Sequence, residues 1–245
     1  MDDAPAGFPA GDLVHDEAVR AERLVAAQGM AEQLFTEVMA RQIIRPGRGE
    51  RQTSDAIRDL AADEFGTQRW WHKRIVRAGP NTLTIYRENP PDRLIAEDDI
   101  VFLDLGPVFA DWEADFGRTF VIGDDPAKHA LCAALDEVWV AAQRHFAEHA
   151  DITGSQLYDH TCALARDAGW EFGGIIAGHL VGQFPYERAG LEDVETRIAP
   201  GCDLPLRRTD ARGIGCHWIL EVHLIDRARG FGGFVEELLD IGPRA

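Results

Sequence analysis

Asp104 stands in the apolar string IVFLDLG. An ionised Asp flanked by Phe102, Leu103 and Leu105 is costly to bury unless a partner compensates its charge. Asp115 follows eleven residues on, in EADFGRTF. If the two strands are neighbours, as so short a connection suggests, both carboxylates converge on one point. Glu221 in HWILEVHLID and Glu236 in GGFVEELLDI repeat the pattern of an acid inside an apolar strand. Taken singly, each has an ordinary alternative: for Asp104 a cap or a salt bridge to Arg118, for a glutamate an edge position facing water. Four acids in the same unfavourable setting are explained together by a shared divalent metal site, in which two ions carry four positive charges and four carboxylates balance them. His179, in the glycine-rich GGIIAGHLVGQ, supplies a nitrogen ligand where a backbone can bend closely round a site. Period two places His217, Ile219, Glu221 and His223 on one face of their strand. His223 is then in reach of anything bound at Glu221, while His217, roughly 13 Å along the strand, is the weaker candidate.

The elements that must hold these residues are legible in outline. Residues 15–44 contain no proline, and Leu24, Ala27, Ala31, Leu34 and Val38 recur at helical spacing, which predicts one long amphipathic helix with Gly29 as its weak point. Residues 53–65 read as a second helix, with Thr53 or Ser54 as cap and Gly66 just past its end. Strands are expected over 72–78 and 82–87 around the turn Gly79-Pro80-Asn81, then over 100–112 and 114–122. Helical spacing returns over 126–149 and 153–168. Strands follow over 174–186, 216–226 and 231–241, and 187–213 reads as a long loop. Helices followed by antiparallel strands, twice over, predict an α+β arrangement with helices on one face of a curved sheet.

Composition narrows the function classes. The chain has 245 residues, with 25 Lys+Arg against 42 Asp+Glu and a net charge of -17. That excess repels phosphate backbones and anionic membranes, so no nucleic-acid or membrane partner is expected. No stretch approaches the roughly 20 apolar residues that span a bilayer, and the start, MDDAPAGFPAGD, has no apolar leader segment. Cys132, Cys162, Cys202 and Cys216 form no C-x-x-C pair, which excludes a zinc knuckle. They read as reduced, buried thiols of a cytoplasmic protein, with a disulfide between two of them as the alternative.

The string IVFLDLGPVFADWEADFGRTFVIG resembles the first metal segment of the pita-bread metallohydrolases: methionine aminopeptidase, aminopeptidase P, prolidase and creatinase. The family pattern is an Asp, ten residues, then an Asp followed by x-x-R-T-F. Asp104, Asp115 and Arg118-Thr119-Phe120 match it. Gly178, His179 and Gly182 match its G-H-x-x-G, Leu220-Glu221 its I-E strand, and residues 232–237 its closing glycine-rich E-[DE] region. There the spacing is one residue short if Glu236 is the ligand, which leaves Glu237 as the alternative register. Ile44-Arg45-Pro46-Gly47 and Gly79-Pro80-Asn81 also look familial, and the likeness runs from about residue 14 to 242.

The resemblance implies an α+β pita-bread fold: a pseudo-two-fold, curved antiparallel sheet covered by helices, in one catalytic domain over 14–245 behind a tail of residues 1–13. It implies two divalent ions bridged by Asp115 and Glu236, with Asp104 on one ion and His179 and Glu221 on the other. Oxygen-rich ligation favours Mn, with Fe, Co or Zn as alternatives. A metal-bridging water would be the nucleophile. The activity implied is that of a hydrolase similar to Xaa-Pro aminopeptidases, on a short peptide or small molecule, and a homodimer is compatible with it. The chain leaves no room for the extra N-terminal domain of creatinase and aminopeptidase P.

Two departures bear on the chemistry. The family's peptidases carry a His five residues after the Asn of G-P-N, where this chain has Tyr86, and another seven residues after the metal His, where it has Tyr186. A phenol of pKa near 10 cannot replace imidazole as a base at neutral pH, although it can donate a hydrogen bond to a developing oxyanion. Tyr86, Tyr186 and His223 are thus the candidates for handling substrate and protons. The alternatives to an aminopeptidase are C–N hydrolysis or elimination on a small metabolite, or a non-catalytic binding protein.

Overall fold

The computed structural model describes residues 12–186 and 193–242. All but the last two residues of the expected tail, and part of the expected 187–213 loop, lie outside these. Helix α1 (Glu17–Ala40) starts at Asp16, whose side chain accepts hydrogen bonds from the Ala18 and Val19 amides. Its predicted stripe of Leu24, Ala27, Ala31, Leu34 and Val38 is buried, and it runs through Gly29 without a break.

Helix α2 (Glu50–Phe65) begins three residues earlier than expected, with Gly49 rather than Thr53 or Ser54 as its cap. The Gln52 side chain accepts from the Gly49 amide, and the Thr53 hydroxyl donates to the Gly49 carbonyl from inside the first turn. Helices α3 (Pro126–Glu148) and α4 (Gly154–Asp167) follow the predicted spans closely, capped by the Asp125 and Thr153 side chains.

The main sheet contains β1 (Ile75–Ala78), β2 (Ile100–Leu105), β5 (Phe116–Val121), β9 (Phe231–Leu238), β8 (His217–Asp226) and β6 (Glu171–Phe172), hydrogen-bonded in that order, and β7 (Gly178–Val181) pairs with the other end of β8. All its pairings are antiparallel. Strands β3 (Val108–Phe109) and β4 (Trp112–Glu113) form a separate two-stranded ribbon.

Three strand expectations are corrected. Residues 100–112 are not one strand: β2 ends at Leu105, and Val108–Phe109 pairs with Trp112–Glu113 in the separate ribbon. Residues 82–87 do not form a strand: Gly79–Leu83 is a 3-10 turn, and the hydroxyls of Thr82 and Thr84 donate back to the carbonyls of Gly79 and Asn81. Such local bonds offer the backbone an alternative to a ladder, which outweighs the β-branched composition. Of 174–186, only Gly178–Val181 pairs as a strand.

Alternation sorts the two faces. Leu103 and Leu105 of β2 pack into a buried cluster with Leu34 of α1 and Ile57 of α2. Leu220, Val222 and Leu224 of β8 pack into a second cluster with Leu131, Leu135 and Trp139 of α3 and Leu157 of α4. Each fully buried leucine of this kind contributes about 1.5–3 kcal/mol. The helices therefore cover one face of the sheet, and the intervening residues Phe102, Asp104, Glu221 and His223 are left for the other.

Candidate metal centre

The candidate ligands meet because of register. Asp104 lies opposite Gly117, Gly117 opposite Glu236, and Glu236 opposite Glu221, one row across β2, β5, β9 and β8. Directly opposed residues of an antiparallel sheet point to the same face. Asp115 precedes Gly117 by two residues and shares that face. His179 of β7 lies opposite Ile219, two residues before Glu221, and shares it too. Glycine at 117 allows the convergence, since a Cβ there would stand 2.7 Å from the Phe234 ring and 3.0 Å from the Glu236 Cβ.

The side chains are close and buried. His179 Nε2 stands 3.0 Å from Asp115 Oδ2 and 3.6 Å from Glu236 Oε1. Asp104, Asp115, His179 and Glu236 are all buried, and one carboxylate oxygen each of Glu221 and Glu236 lies buried with no hydrogen-bond partner. A buried polar atom without a partner is expensive, and a cation is the partner that several such oxygens can share. The donor set thus fits divalent ions.

Electrostatics tells the same story. Burial pushes the Asp104 carboxyl up to about 6, despite help from His72. Burial pushes Glu221 up to about 8 and Glu236 well above the usual carboxylate range, with Asp115 adding repulsion. Asp115 alone goes down, to about 2: burial opposes its charge, but His72 and His179 outweigh burial. His179 is raised well above its ordinary value, because hydrogen bonds to Asp115 and Glu236 overcome the cost of burial. Protons are what offset the charge of this buried cluster when no cation does.

Sequence reasoning missed His72. It sits just before β1, whose Ile75 lies opposite Asp104, and its Nε2 stands 3.1 Å from Asp115 Oδ1 and 3.5 Å from Asp104 Oδ1. Trp71 holds it there. The indole ring packs edge-on against His72 and His179, at 4.4 and 5.3 Å between centroids, while its Nε1–H donates to the Ala114 carbonyl. A histidine placed just ahead of a strand was the available signal, but only the register of β1 on β2 aims it at the acids.

The remaining candidates separate. Tyr86 lines the cleft in front of the acids, with its ring 5.9 Å from that of His72, and burial raises its phenol above the ordinary value. Tyr186 is not among the residues lining the cleft. His223 lines it, but its Nε2–H donates to the Thr82 carbonyl at 2.8 Å and burial lowers its pKa. His217 is placed away from the acids, between Asp240 and Glu17. Glu237 points to the opposite face from Glu236 and pairs with Arg118 at 2.6 Å, so Glu236 is the one of the two aimed at the cleft. The salt bridge considered for Asp104 with Arg118 is therefore made by Glu237. No two of the four cysteines are joined by a disulfide, and only Cys202 is buried, Cys132, Cys162 and Cys216 being partly exposed instead of buried as expected; among the described residues no helix is long and apolar enough to cross a membrane.

The cleft in front of the acids has a volume of about 380 Å³, and Trp71, Ile85, Phe102, Ile175, Phe184 and Phe234 give it largely apolar walls. The sequence profile of metallopeptidase family M24 matches residues 22–206, and the chain belongs to that family. The fold is similar to that of the dipeptidase PepE from Mycobacterium ulcerans (TM-score 0.69, 24% identity, covering 94% of this chain and 59% of that one). It is also similar to the prolidase from Pyrococcus horikoshii (TM-score 0.67, 19% identity, covering 92% and 60%). The methionine aminopeptidase from Rickettsia prowazekii shares it at 12% identity and a TM-score of 0.69, covering 93% of this chain and 95% of that one. These likenesses place the fold in the pita-bread class. The chain spans about three-fifths of the length of the dipeptidase and the prolidase. No curated protein sequence matches it significantly.

Proposed function

We propose that residues 14–245 form one catalytic domain of a dinuclear-metal-dependent hydrolase acting on short peptides or related small amides. Asp115 and Glu236 would be shared by both ions, with Asp104 on one and His179 and Glu221 on the other. The observation that carries the reading is geometric: His72, Asp104 and Asp115 form one cluster of potential ligand atoms within 4.8 Å of one another, Asp115, His179 and Glu236 form a second, and Asp115 belongs to both. Mn²⁺ suits the oxygen-rich set, with Fe, Co or Zn as alternatives. Such ions supply an activated water and a counter-charge for the scissile group.

The chain's own residues set what can be done with that water. The apolar walls favour a substrate with an apolar side group and expel solvent from around it. Tyr86, whose phenol stays protonated at neutral pH, can donate a hydrogen bond to a developing oxyanion but cannot take a proton. A peptide substrate is supported by family membership and by the dipeptidase, prolidase and methionine aminopeptidase that share the fold. The tyrosine in front of the acids favours a second reading, C–N hydrolysis or elimination on a small metabolite.

A substrate panel separates the two. The Mn²⁺-reconstituted protein is assayed on dipeptides, Xaa-Pro peptides and N-acyl or ureido metabolites. Turnover abolished by EDTA supports the metal-dependent reading, and preference for the non-peptide set selects the second. No turnover of any member, with metal bound, would favour a binding role for the cleft.

A further inference from the structure

We propose that His72 is itself a metal ligand, giving the ion at Asp104 an imidazole to match the one His179 gives its neighbour. The proposal rests on the dinuclear reading and extends its ligand set by a residue that no motif carries.

The two histidines are built alike. His179 donates its Nδ1–H to the carbonyl of the next residue, Leu180, at 2.8 Å, and His72 donates its Nδ1–H to the carbonyl of the next residue, Lys73, at the same distance. Each bond fixes the ring and leaves Nε2 as the only other nitrogen. A metal-binding histidine is held in this way, its second nitrogen donating to a carbonyl or carboxylate.

Both Nε2 atoms face Asp115, one on each oxygen: His72 on Oδ1 at 3.1 Å, His179 on Oδ2 at 3.0 Å. Each also faces a second acid, Asp104 at 3.5 Å for His72 and Glu236 at 3.6 Å for His179. A nitrogen lone pair aimed at two carboxylate oxygens is unfavourable unless a proton or a metal cation stands between them. Ligand atoms bound about 2.1 Å from one ion, at right angles, lie about 3 Å apart, which these separations match.

The surroundings reserve the place for this ring. Gly106 runs alongside it, and a Cβ there would fall 2.0 Å from the His72 Cδ2. Trp71 packs against both imidazoles and ties to the segment that carries Asp115 through the Ala114 carbonyl. With one imidazole on each ion, the site leans further toward Co²⁺, Fe²⁺ or Zn²⁺ than the motif residues alone imply.

The test uses Co²⁺ as probe on the full chain. A histidine bound to Co²⁺ through Nε2 gives a strongly downfield, solvent-exchangeable Nδ1–H proton resonance. The wild type loaded with two equivalents should show two such signals, and His72→Phe, which keeps the packing on Trp71, should show one. Calorimetric titration of His72→Phe should find one Co²⁺ site weakened at least about tenfold and the other little changed. One exchangeable signal in the wild type, or both affinities unchanged in His72→Phe, would overturn the assignment while leaving the dinuclear reading in place. Absence of Co²⁺ binding by the wild type would overturn both. The wild-type signal count decides the matter even if the variant does not fold.

Discussion

Replacing Glu221 by Gln should make the metal-free protein more stable while weakening its gain from metal. Glu221 rises from its ordinary 4.5 to about 8 in the folded chain. The folded state therefore holds this proton more tightly than the unfolded chain does. The stability linked to it is fully present below about 4.5 and is lost as pH climbs to about 8. At pH 7 the gap from 4.5 is 2.5 pH units, which at 1.36 kcal/mol each amounts to about 3 kcal/mol. Glu221 is only partly buried beside the cleft, and solvent screening leaves roughly half of that, about 1–2 kcal/mol. For a domain of this size the melting temperature of Glu221→Gln in EDTA should then exceed the wild type's by about 2–8 °C at pH 7. The difference should grow up to pH 8 and nearly vanish at pH 5. With saturating Mn²⁺ the order should reverse, because the ion needs the ionised carboxylate that only the wild type supplies. The assay is differential scanning calorimetry at pH 5, 7 and 8, with EDTA and with Mn²⁺. A metal-free variant no more stable than the wild type at pH 8, or an advantage of equal size at pH 5, would refute the reasoning.

Other consequences can be checked alongside. Mn²⁺ or Co²⁺ should raise the wild-type melting temperature clearly, Mg²⁺ should do little, and identical curves in EDTA and Mn²⁺ would count against a metal centre. Arg118→Ala removes the ion pair that Arg118 makes with the fully buried Glu237 and should cost about 1–3 kcal/mol in urea unfolding, with Glu237→Gln restoring part of it. His223→Phe removes the bond to the Thr82 carbonyl and should cost about 1–2 kcal/mol. It should leave the pH profile of any turnover unmoved, whereas a lost limb of that profile would give His223 a proton-handling role. Restoring Tyr86→His and Tyr186→His together should raise cleavage of simple peptides, since general acid–base help is worth roughly a hundred- to ten-thousand-fold. Efficient wild-type cleavage of such peptides would show the tyrosines to be no obstacle.

The acids were legible because each breaks a local rule. Asp104 in IVFLDLG and Glu236 in GGFVEELLDI stand where an apolar residue would serve packing better, and that mismatch marks them. That Asp104 and Asp115 converge was legible from the short connection between their strands, but the register that completes the site was not, because the row Asp104, Gly117, Glu236, Glu221 depends on β5 pairing with β9, far along the chain. The same limit hid His72, whose significance arises only when β1 pairs with β2. It also left Glu236 and Glu237 unresolved until strand alternation assigned one to the cleft and the other to Arg118. Long helices were read well because periodicity over twenty residues averages out local exceptions, as at Gly29. The turn at Gly79-Pro80-Asn81 was legible, but the strand expected over 82–87 is absent because threonine hydroxyls bonding back three residues leave no trace in β propensity.

The central claim is that two ions share Asp115 and Glu236, and metal stoichiometry tests it most directly. Wild type and Asp115→Ala are reconstituted with excess Mn²⁺, desalted and measured by plasma mass spectrometry against protein concentration. The account predicts close to two Mn²⁺ per chain in the wild type and a loss from both sites in Asp115→Ala, because each ion forfeits the same carboxylate. Two ions retained unchanged in Asp115→Ala would contradict it.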